Sequence, residues 1–451
     1  MMRILYLSLV AVLPFMSLFA SVPIDVKGAA VGIYIAPVSD NPTATVEYNS
    51  DVCLTPASVM KAVTSATALS VLGADFRWET IVTATGSISF DGSLMGNVVI
   101  NGSGDPTLES RFFSGNRGFC DRLAKALAEE GCRSETGRIV VDESRFIDVG
   151  INPSWEIEDV AWDYGAGWSG VNYRDNSFLL ILPECKVQPS VPGLHVVDRT
   201  ALGSGDITLL RGIDSDLLIA DGVCREKGVR IWCSMPDPAA VICHEVDSTL
   251  QARGIEVSGA VVKSVIAEGD PESRVVMRQF SPRLGEVLRS LMVRSDNLMA
   301  EGALRAVAPG ASRDDAMSLL KSLWKSRGVD LTYTRLLDGS GLARGNAISP
   351  RQLGSILRWM ARSPMSDEYV ALFPRAGLDG TLRSFLAKSP QRKRYVLKTG
   401  SMGGVQCYAG YRLDATGKKP THVVVVMVNN FSGSRSALRK EVERLLVETK
   451  F

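Results

Sequence analysis

The sequence predicts a multi-domain α/β protein in which a sheet-and-helix domain is interrupted by inserted β-rich modules. Three observations lead to this prediction. The 451 residues exceed the usual size of a single domain. After residue 281 the chain shows several helical segments, then three strand-like segments and a final helix. The middle of the chain instead contains short β-like runs separated by Gly, Pro and Asp.

The composition is that of a globular protein with a large core, because 45% of the residues are hydrophobic and 22% are charged. The 50 basic and 49 acidic residues leave a formal net charge of +1. This balance gives no support to nucleic acid as a partner.

Residues 1–20 have the outline of a secretory signal, with Arg3 before an apolar run and a cleavage site after Ala20. Leu18 stands where a small residue is preferred, so an uncleaved anchor is the alternative. No later apolar run of the sequence reaches the roughly 20 residues that a spanning helix needs. We expect an exported protein of the periplasm or cell envelope with a soluble mature part.

The first half of the chain yields the following elements in order. We predict strands at 31–36 and 43–49, a helix at 57–72, a hairpin turn at Asp91-Gly92, a loop at 102–108, a helix at 119–131 and a strand at 137–142. Further on, FLLILP and DLLIADG are β-like and PDPAAVICHEVDSTLQARG is helical. We interpret 83–269 as inserted β-rich modules.

The second half begins with a helix behind Ser281-Pro282, where the serine is a candidate N-cap. Helices at 297–307, 313–327 and 350–362 follow, then the strands YVLKTG, VQCYAGYRLD and HVVVVMVNN. Residues 423–428 are continuously apolar, which indicates a central strand covered on both faces. The final helix, SALRKEVERLLVE, has one apolar side that should pack on the sheet. Membrane-surface binding is a weaker alternative because its polar face mixes acids and bases.

Candidate chemistry lies in the helix at 57–72. Thr55 and Pro56 are typical of a helix start, and the residues that follow are small or apolar on nearly every face, which indicates a buried helix. Ser58 and Lys61 lie one turn apart on one face. Burial lowers the pKa of a lysine, so Lys61 can serve as a base for a nucleophilic Ser58. Backbone amides at the helix start can receive an oxyanion.

The histidines and cysteines give no competing site. Only His195, His244 and His422 exist, and they come from distant segments, so we expect neither a histidine metal site nor a histidine base. The eight cysteines contain no C-x-x-C pair. We expect mostly buried thiols with room for one bridge, for which Cys120–Cys132 and Cys224–Cys233 are the first pairs to consider.

Three short motifs select the site by their order. S-x-x-K also occurs at Ser318 and Ser322, but on a helix with polar neighbours. S-x-N occurs at 39–41, 114–116 and 295–297, and only the last copy falls between two predicted helices. K-T-G occurs once, at 398–400, at the end of a strand. A serine and lysine on a buried helix, S-D-N between helices and K-T-G on a strand form the set that penicillin-binding proteins and class A β-lactamases use.

With these three motifs in this order, the chain resembles the low-molecular-mass, class C penicillin-binding proteins of serine peptidase family S13. The members of that family are D-alanyl-D-alanine carboxypeptidases and endopeptidases. The resemblance covers nearly the whole mature length. Its segments are PASVMK, GSGDPTL, RSDNLMAE, DGSGLARGN, FPRAGLDGTLR and LKTGSMGGVQCYAGY. The long gap between Ser58 and Ser295 matches the inserted domains of that family, for which class A β-lactamases have no room.

The resemblance implies a transpeptidase-like catalytic domain, built on an antiparallel sheet, from 21–82 and 270–451. It implies that Ser58 attacks the penultimate D-alanine and that Lys61 takes its proton. Ser295 would relay a proton to the departing D-amino acid, and Asn297 would hold the substrate amide.

The K-T-G segment has implied roles as well. Lys398 would place positive charge near the terminal carboxylate and Thr399 would hydrogen-bond it, with Gly400 beside them. The backbone N–H groups of Ser58 and Ser401 would form the oxyanion hole. Met402 would line the same pocket or act as filler.

The segment VAWDYGAGWSG resembles the part of the inserted region that reads the free end of the stem peptide. It offers Asp163 as a partner for a substrate ammonium and Trp155 or Trp162 as a wall. A buried tryptophan and a capping aspartate explain the same pattern. The acids and glycines of DGSG and GSGDP are expected to make turns.

The predicted function is serine-type hydrolysis of D-alanyl-D-alanine bonds, with D-alanyl cross-links as further substrates. Peptidoglycan stem peptides are the expected partners, and β-lactam antibiotics the expected covalent inhibitors. Neither a metal nor an organic cofactor is implied. A β-lactamase and an inactive cell-wall-binding protein are the alternatives.

Overall fold

The computed structural model describes residues 24, 26–39, 45–224, 226–258, 262–263 and 273–451. The predicted signal at 1–20 and the start of the second predicted strand, 43–44, lie outside the described residues. The strands are β1 (Ala30–Pro37), β2 (Val46–Tyr48), β3 (Glu79–Ala84), β4 (Ser93–Leu94), β5 (Val98–Asn101), β6 (Glu135–Thr136), β7 (Ile139–Asp142), β8 (Ser177–Leu182), β9 (Lys186–Gln188), β10 (His195–Asp198), β11 (Ala201–Leu202), β12 (Ile207–Leu210), β13 (Leu217–Cys224), β14 (Val229–Ser234), β15 (Glu256–Val257), β16 (Val262–Lys263), β17 (Arg274–Phe280), β18 (Tyr395–Met402), β19 (Val405–Leu413) and β20 (Pro420–Asn429). The helices are α1 (Met60–Leu72), α2 (Phe119–Glu129), α3 (Pro238–Gln251), α4 (Leu284–Arg294), α5 (Asn297–Ala306), α6 (Arg313–Ser326), α7 (Pro350–Arg362), α8 (Ser366–Ala371) and α9 (Arg435–Glu448).

The two ends of the chain share one antiparallel sheet with the strand order β18-β19-β20-β1-β2. Strand β20 lies at its centre, and residues 423–428 are fully buried, as their apolar run predicts. Strand β1 pairs with β20 in a register that sets Ile33 opposite Val426. This sheet therefore needs both ends of the chain in order to form.

Helices cover both faces of this sheet. On one face, helices α1 and α4 to α7 enclose a core that contains Met60, Leu288 and Trp324. On the other face, α9 buries its apolar stripe together with the outward side chains of β1 and β20. The predicted packing of the final helix is confirmed.

The inserted region has a core of its own, which extends from Val82 to Met277. Strands β3 and β17, at the two ends of this region, pair with each other in a sheet with the order β16-β7-β5-β3-β17. The predicted hairpin is confirmed, since β3 pairs with β5 and Gly92 adopts a φ of +88° in the turn at its tip. The predicted runs FLLILP and DLLIADG form β8 and most of β13, and the helix behind Asp237 is α3.

A pair of hydrogen bonds closes the neck between the two regions. The Ser281 amide donates to the Trp78 carbonyl at 3.0 Å, and the Trp78 amide donates to Ser281 Oγ at 3.0 Å. Since β3 and β17 both belong to the inserted sheet, we propose that the insertion comprises about 79–280 rather than 83–269. The serine is thus engaged at the neck, and the prediction that Ser281 caps α4 is wrong, because Arg283 holds the N-cap position without a side-chain cap.

The start of the helix with Ser58 also differs from the prediction. Thr55 does not cap it: Asn429 binds the Thr55 backbone on both sides, accepting from its amide at 2.7 Å and donating to its carbonyl at 3.1 Å. Ala57 takes a left-handed φ of +47°, and a 3-10 turn, Ala57–Val59, precedes α1. Every residue from Met60 to Leu69 is buried, as predicted for this helix.

Candidate active site

Ser58 and Lys61 form a contact at the start of α1. Lys61 Nζ is fully buried and lies 3.0 Å from Ser58 Oγ. The same nitrogen donates to Asn297 Oδ1 at 2.6 Å and to the Ser340 carbonyl at 2.5 Å. The amide of Asn297 is oriented from its other side, because Nδ2 donates to the Tyr164 carbonyl at 2.7 Å. Lys61 is thus held from three directions.

Two opposing effects set the pKa of Lys61. Burial lowers it, while the negative charges of Asp338, Asp296 and Glu301 raise it, and the result is a pKa of about 8. A lysine in this range can be neutral at the pH of many bacterial compartments without a large free-energy cost.

The loop DGSG presents the Ser340 carbonyl to Lys61. Buried Glu301 accepts hydrogen bonds from the amides of Gly339 and Ser340 at 3.0 and 2.9 Å. Asp338 accepts from the Gly341 amide at 2.8 Å. Asp338 organises the turn, as the sequence suggested, whereas the part that Glu301 plays in the turn was not predicted. Burial raises the pKa of Glu301 to about 7.

Ser295 and Lys398 form a second contact across the cleft. Ser295 ends α4 with a left-handed φ of 64°, and Asp296 caps α5 by accepting from the Met299 amide at 2.8 Å. The S-D-N segment therefore lies in a break between two helices, as predicted. Lys398 Nζ donates to Ser295 Oγ at 2.9 Å and to the Thr399 carbonyl at 2.7 Å.

Lys398 is as buried as Lys61 but is surrounded by less negative charge. Burial lowers its pKa well below the usual value, and the positive charge of Lys61 lowers it further. Both effects weaken the charged form of this amine relative to that of an exposed lysine.

Gly400 allows strand β18 to approach the turn that carries Ser58. A Cβ at this position would lie 2.5 Å from the Pro56 carbonyl oxygen and 3.0 Å from the Ser58 nitrogen. Both are backbone atoms that cannot move aside easily, so a glycine is needed here. The close approach sets β18 directly against the turn that carries Ser58.

An open cleft of about 390 Å³ collects most of the predicted residues. Those that line it are Ser58, Ser295, Asn297, Thr399, Ser401 and Met402. Lys61 and Lys398 lie beneath its floor, fully buried. The sequence did not predict the other lining residues, which are Asp159, Tyr164, Leu342, Arg344, Thr381 and Gly403.

The segment around VAWDYGAGWSG borders this cleft, but the residues that face the cleft are not the ones predicted. Trp155 is buried and its indole Nε1 donates to Asp338 at 2.8 Å, so it supports the DGSG loop instead of forming a wall. Asp163 binds Arg111 at 2.8 Å and lines an adjoining cavity. Asp159, which accepts from Tyr164 Oη at 3.1 Å, faces the cleft instead. Trp162 stacks on Tyr164 and is absent from the lining.

Arg344 lies at the same end of the cleft as Asp159. Its Nε donates to Glu156 at 2.6 Å and its Nη1 to the Gly403 carbonyl at 3.1 Å. Burial raises the pKa of Asp159. The carboxylate of Asp159 and the guanidinium of Arg344 thus face the cleft together. The sequence could have indicated them through the charged residues in this segment and in DGSGLAR.

Neither the cysteines nor a cluster of metal-ligating side chains offers a second candidate site within the part of the chain that the structure describes. All eight cysteines are thiols, so neither Cys120–Cys132 nor Cys224–Cys233 is bridged. Within the described ranges, no group of three or more His, Cys, Asp or Glu side chains could hold a metal ion. Among the same residues, no helix is long and apolar enough to cross a membrane.

Comparison with known proteins agrees with this geometry. A profile of the D-Ala-D-Ala carboxypeptidase 3 (S13) family matches residues 20–448. D-alanyl-D-alanine carboxypeptidase DacB of Haemophilus influenzae is 26% identical, over 90% of this chain and 86% of that protein. A D-alanyl-D-alanine carboxypeptidase of Actinomadura sp. (strain R39) is also 26% identical, over 85% of this chain and 75% of that protein.

Solved structures show the same fold. The crystal structure of penicillin binding protein 4 (dacB) from Haemophilus influenzae matches with a TM-score of 0.83 at 24% identity, over 95% of this chain and 98% of that one. A structure of that protein complexed with a β-lactam matches with a TM-score of 0.78. The predicted fold class, a transpeptidase-like domain interrupted by an insertion, is confirmed.

Proposed function

The chain belongs to the D-Ala-D-Ala carboxypeptidase 3 (S13) family, and we propose that Ser58 is the nucleophile with which it cleaves peptidoglycan stem peptides. Membership of this family makes the protein a serine-type D-Ala-D-Ala carboxypeptidase. The observation that carries the assignment to Ser58 is the 3.0 Å contact with a fully buried lysine amine. The other serines of S-x-x-K motifs, Ser318 and Ser322, are exposed on α6.

In the acylation step, Ser58 Oγ attacks the carbonyl carbon of the penultimate D-alanine and its proton passes to Lys61 Nζ. A neutral amine has two N–H donors and one lone pair. Asn297 Oδ1 and the Ser340 carbonyl can only accept, so they take both donors. The lone pair is then left for the Ser58 hydroxyl, which orients the base before the substrate binds.

The carbonyl oxygen becomes negative as the new bond forms. The backbone N–H groups of Ser58 and of Ser401, which follows Gly400 on β18, would receive it. One such preorganised donor contributes about 3 kcal/mol to the lowering of the barrier.

The C–N bond breaks when the leaving nitrogen gains a proton. Ser295 Oγ would supply this proton and recover one from Lys398, to which it is hydrogen-bonded. A substrate carboxylate near Thr399 and Lys398 would raise the pKa of that lysine and favour its charged form in the complex. In deacylation, water adds to the ester and loses a proton along the Ser295–Lys398 path. Lys61 returns its proton to Ser58, which restores the starting state.

The end of the cleft that Asp159 and Arg344 line would bind the third residue of the stem peptide. Asp159 and Arg344 offer opposite charges there, which fits a group that carries both an ammonium and a carboxylate. Asp163, the residue that the sequence suggested, is already paired with Arg111. An Asp159→Asn variant should raise KM for an ammonium-bearing stem peptide by about tenfold while fluorescent penicillin still labels Ser58, consistent with a lost ionic hydrogen bond.

Peptidoglycan as substrate implies that the protein works outside the cytoplasm. We propose that residues 1–20 direct its export to the periplasm or cell envelope, and that β-lactams acylate Ser58. The β-lactam complex of the Haemophilus influenzae relative supports the second proposal. Mass analysis of the N-terminus of the exported protein shows whether Ala20 precedes the cleavage site.

The decisive experiment compares Ser58→Ala with Ser322→Ala, which removes the serine of an exposed S-x-x-K motif. Only the first should lose both D-alanine release from a pentapeptide stem and labelling by fluorescent penicillin. Continued D-alanine release by Ser58→Ala would contradict the assignment. Rapid turnover of nitrocefin without a stable adduct would instead identify a β-lactamase, and an inactive wild type that binds cell walls would identify a scaffold.

A further inference from the structure

A cavity of about 230 Å³ lies in the inserted region and shares no lining residue with the active-site cleft. Its wall includes residues 149–151 and 167–169, the loop behind β12 and the residues that lead into α3. Val149 and Ile213 at this wall are exposed, so solvent reaches the cavity. The proposed function uses none of the lining residues.

Arg211 forms part of this wall and has hydrogen-bonding capacity that the fold does not use. Its Nη2 donates to the Val160 carbonyl at 3.2 Å and to Ser234 Oγ at 2.7 Å. Its Nη1 donates to the Gly212 carbonyl at 3.5 Å, whereas Nε has no acceptor. A guanidinium has five N–H donors, so this side chain can still bind a further acceptor.

The positive charge of Arg211 is also not compensated by an ion pair. The residue is only 5% exposed, and in the described part of the chain no carboxylate lies within ion-pair distance of it. Burial lowers its pKa more than the neighbouring Cys233 and Asp216 raise it. A buried cation is costly unless an anion accompanies it, so the wall of the cavity favours a negatively charged acceptor.

Trp168 supplies a second donor without an acceptor at the same wall. The residue is 4% exposed, and its ring meets that of Phe146 edge to face with 5.1 Å between the centroids. Its Nε1 has no hydrogen-bond partner, although a buried indole N–H usually finds one. Two unpaired donors, one of them charged, thus belong to one cavity. A carboxylate suits them both, because its two oxygens only accept.

The two acids that line the cavity are unequally engaged. Glu143 accepts from the Val171 amide at 3.0 Å and from the Ser169 hydroxyl. Asp214 is exposed and has no ion-pair partner among the described residues. Most of the other lining side chains are apolar, and they are Val149, Ile151, Ile213, Met235, Pro236 and Pro238. The cavity therefore matches a ligand that carries both charges on a small apolar body.

We propose that this cavity, which we call the amino-acid cavity, binds a free amino acid with an apolar side chain, its carboxylate at Arg211 and Trp168 and its ammonium at Asp214. The volume is below the range of drug-sized ligands and fits a ligand of amino-acid size. D-alanine, which the carboxypeptidase reaction releases, belongs to this class of ligand. The inference does not depend on Ser58, because the cavity and the cleft are separate.

The test follows the indole N–H signal of Trp168 by NMR in protein that contains isotope-labelled tryptophan. The chain has 7 tryptophans, and Trp168→Phe identifies the signal by its loss. Racemic leucine should shift this signal with a Kd in about the millimolar range, as expected for a ligand held by a few polar contacts. Racemic leucinamide, which lacks the carboxylate, should bind at least about tenfold more weakly. The acid 4-methylpentanoate, which lacks the ammonium, should bind about threefold more weakly than leucine.

Two variants separate the charges of the ligand. Arg211→Met should abolish the shift by leucine and by 4-methylpentanoate, and its thermal midpoint checks that it is folded. Asp214→Asn changes an exposed residue and should fold normally. It should remove the preference for leucine over 4-methylpentanoate, whereas Asp367→Asn, at an exposed acid of α8, should keep it. Protein treated with penicillin beforehand should give the same Kd, because the cleft has no part in the binding.

Each part of the inference has an outcome that would overturn it. A Trp168 signal that leucine leaves in place, far above millimolar concentrations, would show that the cavity binds no amino acid. Equal binding of leucinamide would show that Arg211 holds no carboxylate, and an unchanged preference in Asp214→Asn would show that this acid holds no ammonium. A shift that penicillin treatment abolishes would place the ligand in the cleft instead.

Discussion

Two serine–lysine pairs meet in this cleft, one on α1 and one between the S-D-N break and β18. Their contacts are nearly identical: Lys61 Nζ lies 3.0 Å from Ser58 Oγ, and Lys398 Nζ lies 2.9 Å from Ser295 Oγ. Both lysines are fully buried. Their charge surroundings are very different. Three acids raise the pKa of Lys61 against burial to about 8, whereas burial and the neighbouring cation both lower the pKa of Lys398.

The comparison teaches that distance alone does not assign a role to a lysine. Lys61 titrates in the range where a general base is most effective, with its two other acceptors fixed by the fold. Burial and the neighbouring cation lower the pKa of Lys398, and an arriving carboxylate should raise it, so this lysine is suited to respond to the substrate carboxylate. The following predictions test this division, from the largest expected effect to the smallest.

Removing the amine of the first pair should have the largest effect. In Lys61→Gln we expect acylation by fluorescent penicillin to slow by about 10³- to 10⁴-fold, because Ser58 loses the amine proposed to accept its proton. Lys325→Gln, which changes the lysine of an exposed S-x-x-K motif, should acylate at the wild-type rate. The thermal midpoint of both variants checks that they are folded. Acylation within tenfold of wild type in Lys61→Gln would contradict the role of this lysine.

Removing the amine of the second pair should matter most when the substrate has a free carboxylate, because Lys398 then loses both its contact with that carboxylate and its hydrogen bond to Ser295. In Lys398→Met, kcat/KM for D-alanine release should fall by about 10²-fold, in line with the loss of one charged contact. Esterifying the terminal carboxylate should slow the wild type but have little further effect on the variant. Lys418→Met, at an exposed position of the β19–β20 turn, is the matched control. Equal sensitivity of variant and wild type to esterification would show that Lys398 does not contact the carboxylate.

The smallest expected effect is a shift in the pH dependence of acylation when an acid near Lys61 is neutralised. Because neutral Lys61 is the reactive form, the acylation rate should rise with pH and level off above about 8. Glu301→Gln keeps an acceptor for the Gly339 and Ser340 amides but removes a negative charge that raises the pKa of Lys61. The midpoint should therefore move to lower pH, as measured by stopped-flow acylation across pH 5.5 to 9.5. A midpoint that stays in place, or one that Glu129→Gln also moves, would contradict the assignment.

Much of the fold followed from local patterns. Alternation and apolar runs predicted β1, the hairpin at Gly92, the central β20 and the apolar side of α9, because each pattern reflects a face that must be buried. The ends of the elements were less predictable. Thr55 has the chemistry of an N-cap, yet Asn429, far away in sequence, binds its backbone instead.

The residues of the candidate site also fall into those that the sequence predicted and those that it did not. Motif order selected Ser58, Lys61, Ser295, Asn297 and Lys398, and the fold brings these five together, although their roles remain proposals. For the inserted segment the sequence suggested Asp163, whereas the structure places Asp159 in the lining of the cleft and pairs Asp163 with Arg111. Two 3-10 turns, Ile157–Asp159 and Asp163–Gly165, hold these acids. A turn sets side-chain direction through backbone torsions, which no periodic pattern records.

The sequence by itself determined which chemical groups this protein carries and which segments are buried, because hydrophobic periodicity and short motifs are local properties. Only the tertiary structure decided the pKa values of those groups. The pKa of a buried amine depends on acids such as Glu301 and Asp338, which lie far from Lys61 along the chain and close to it only after folding.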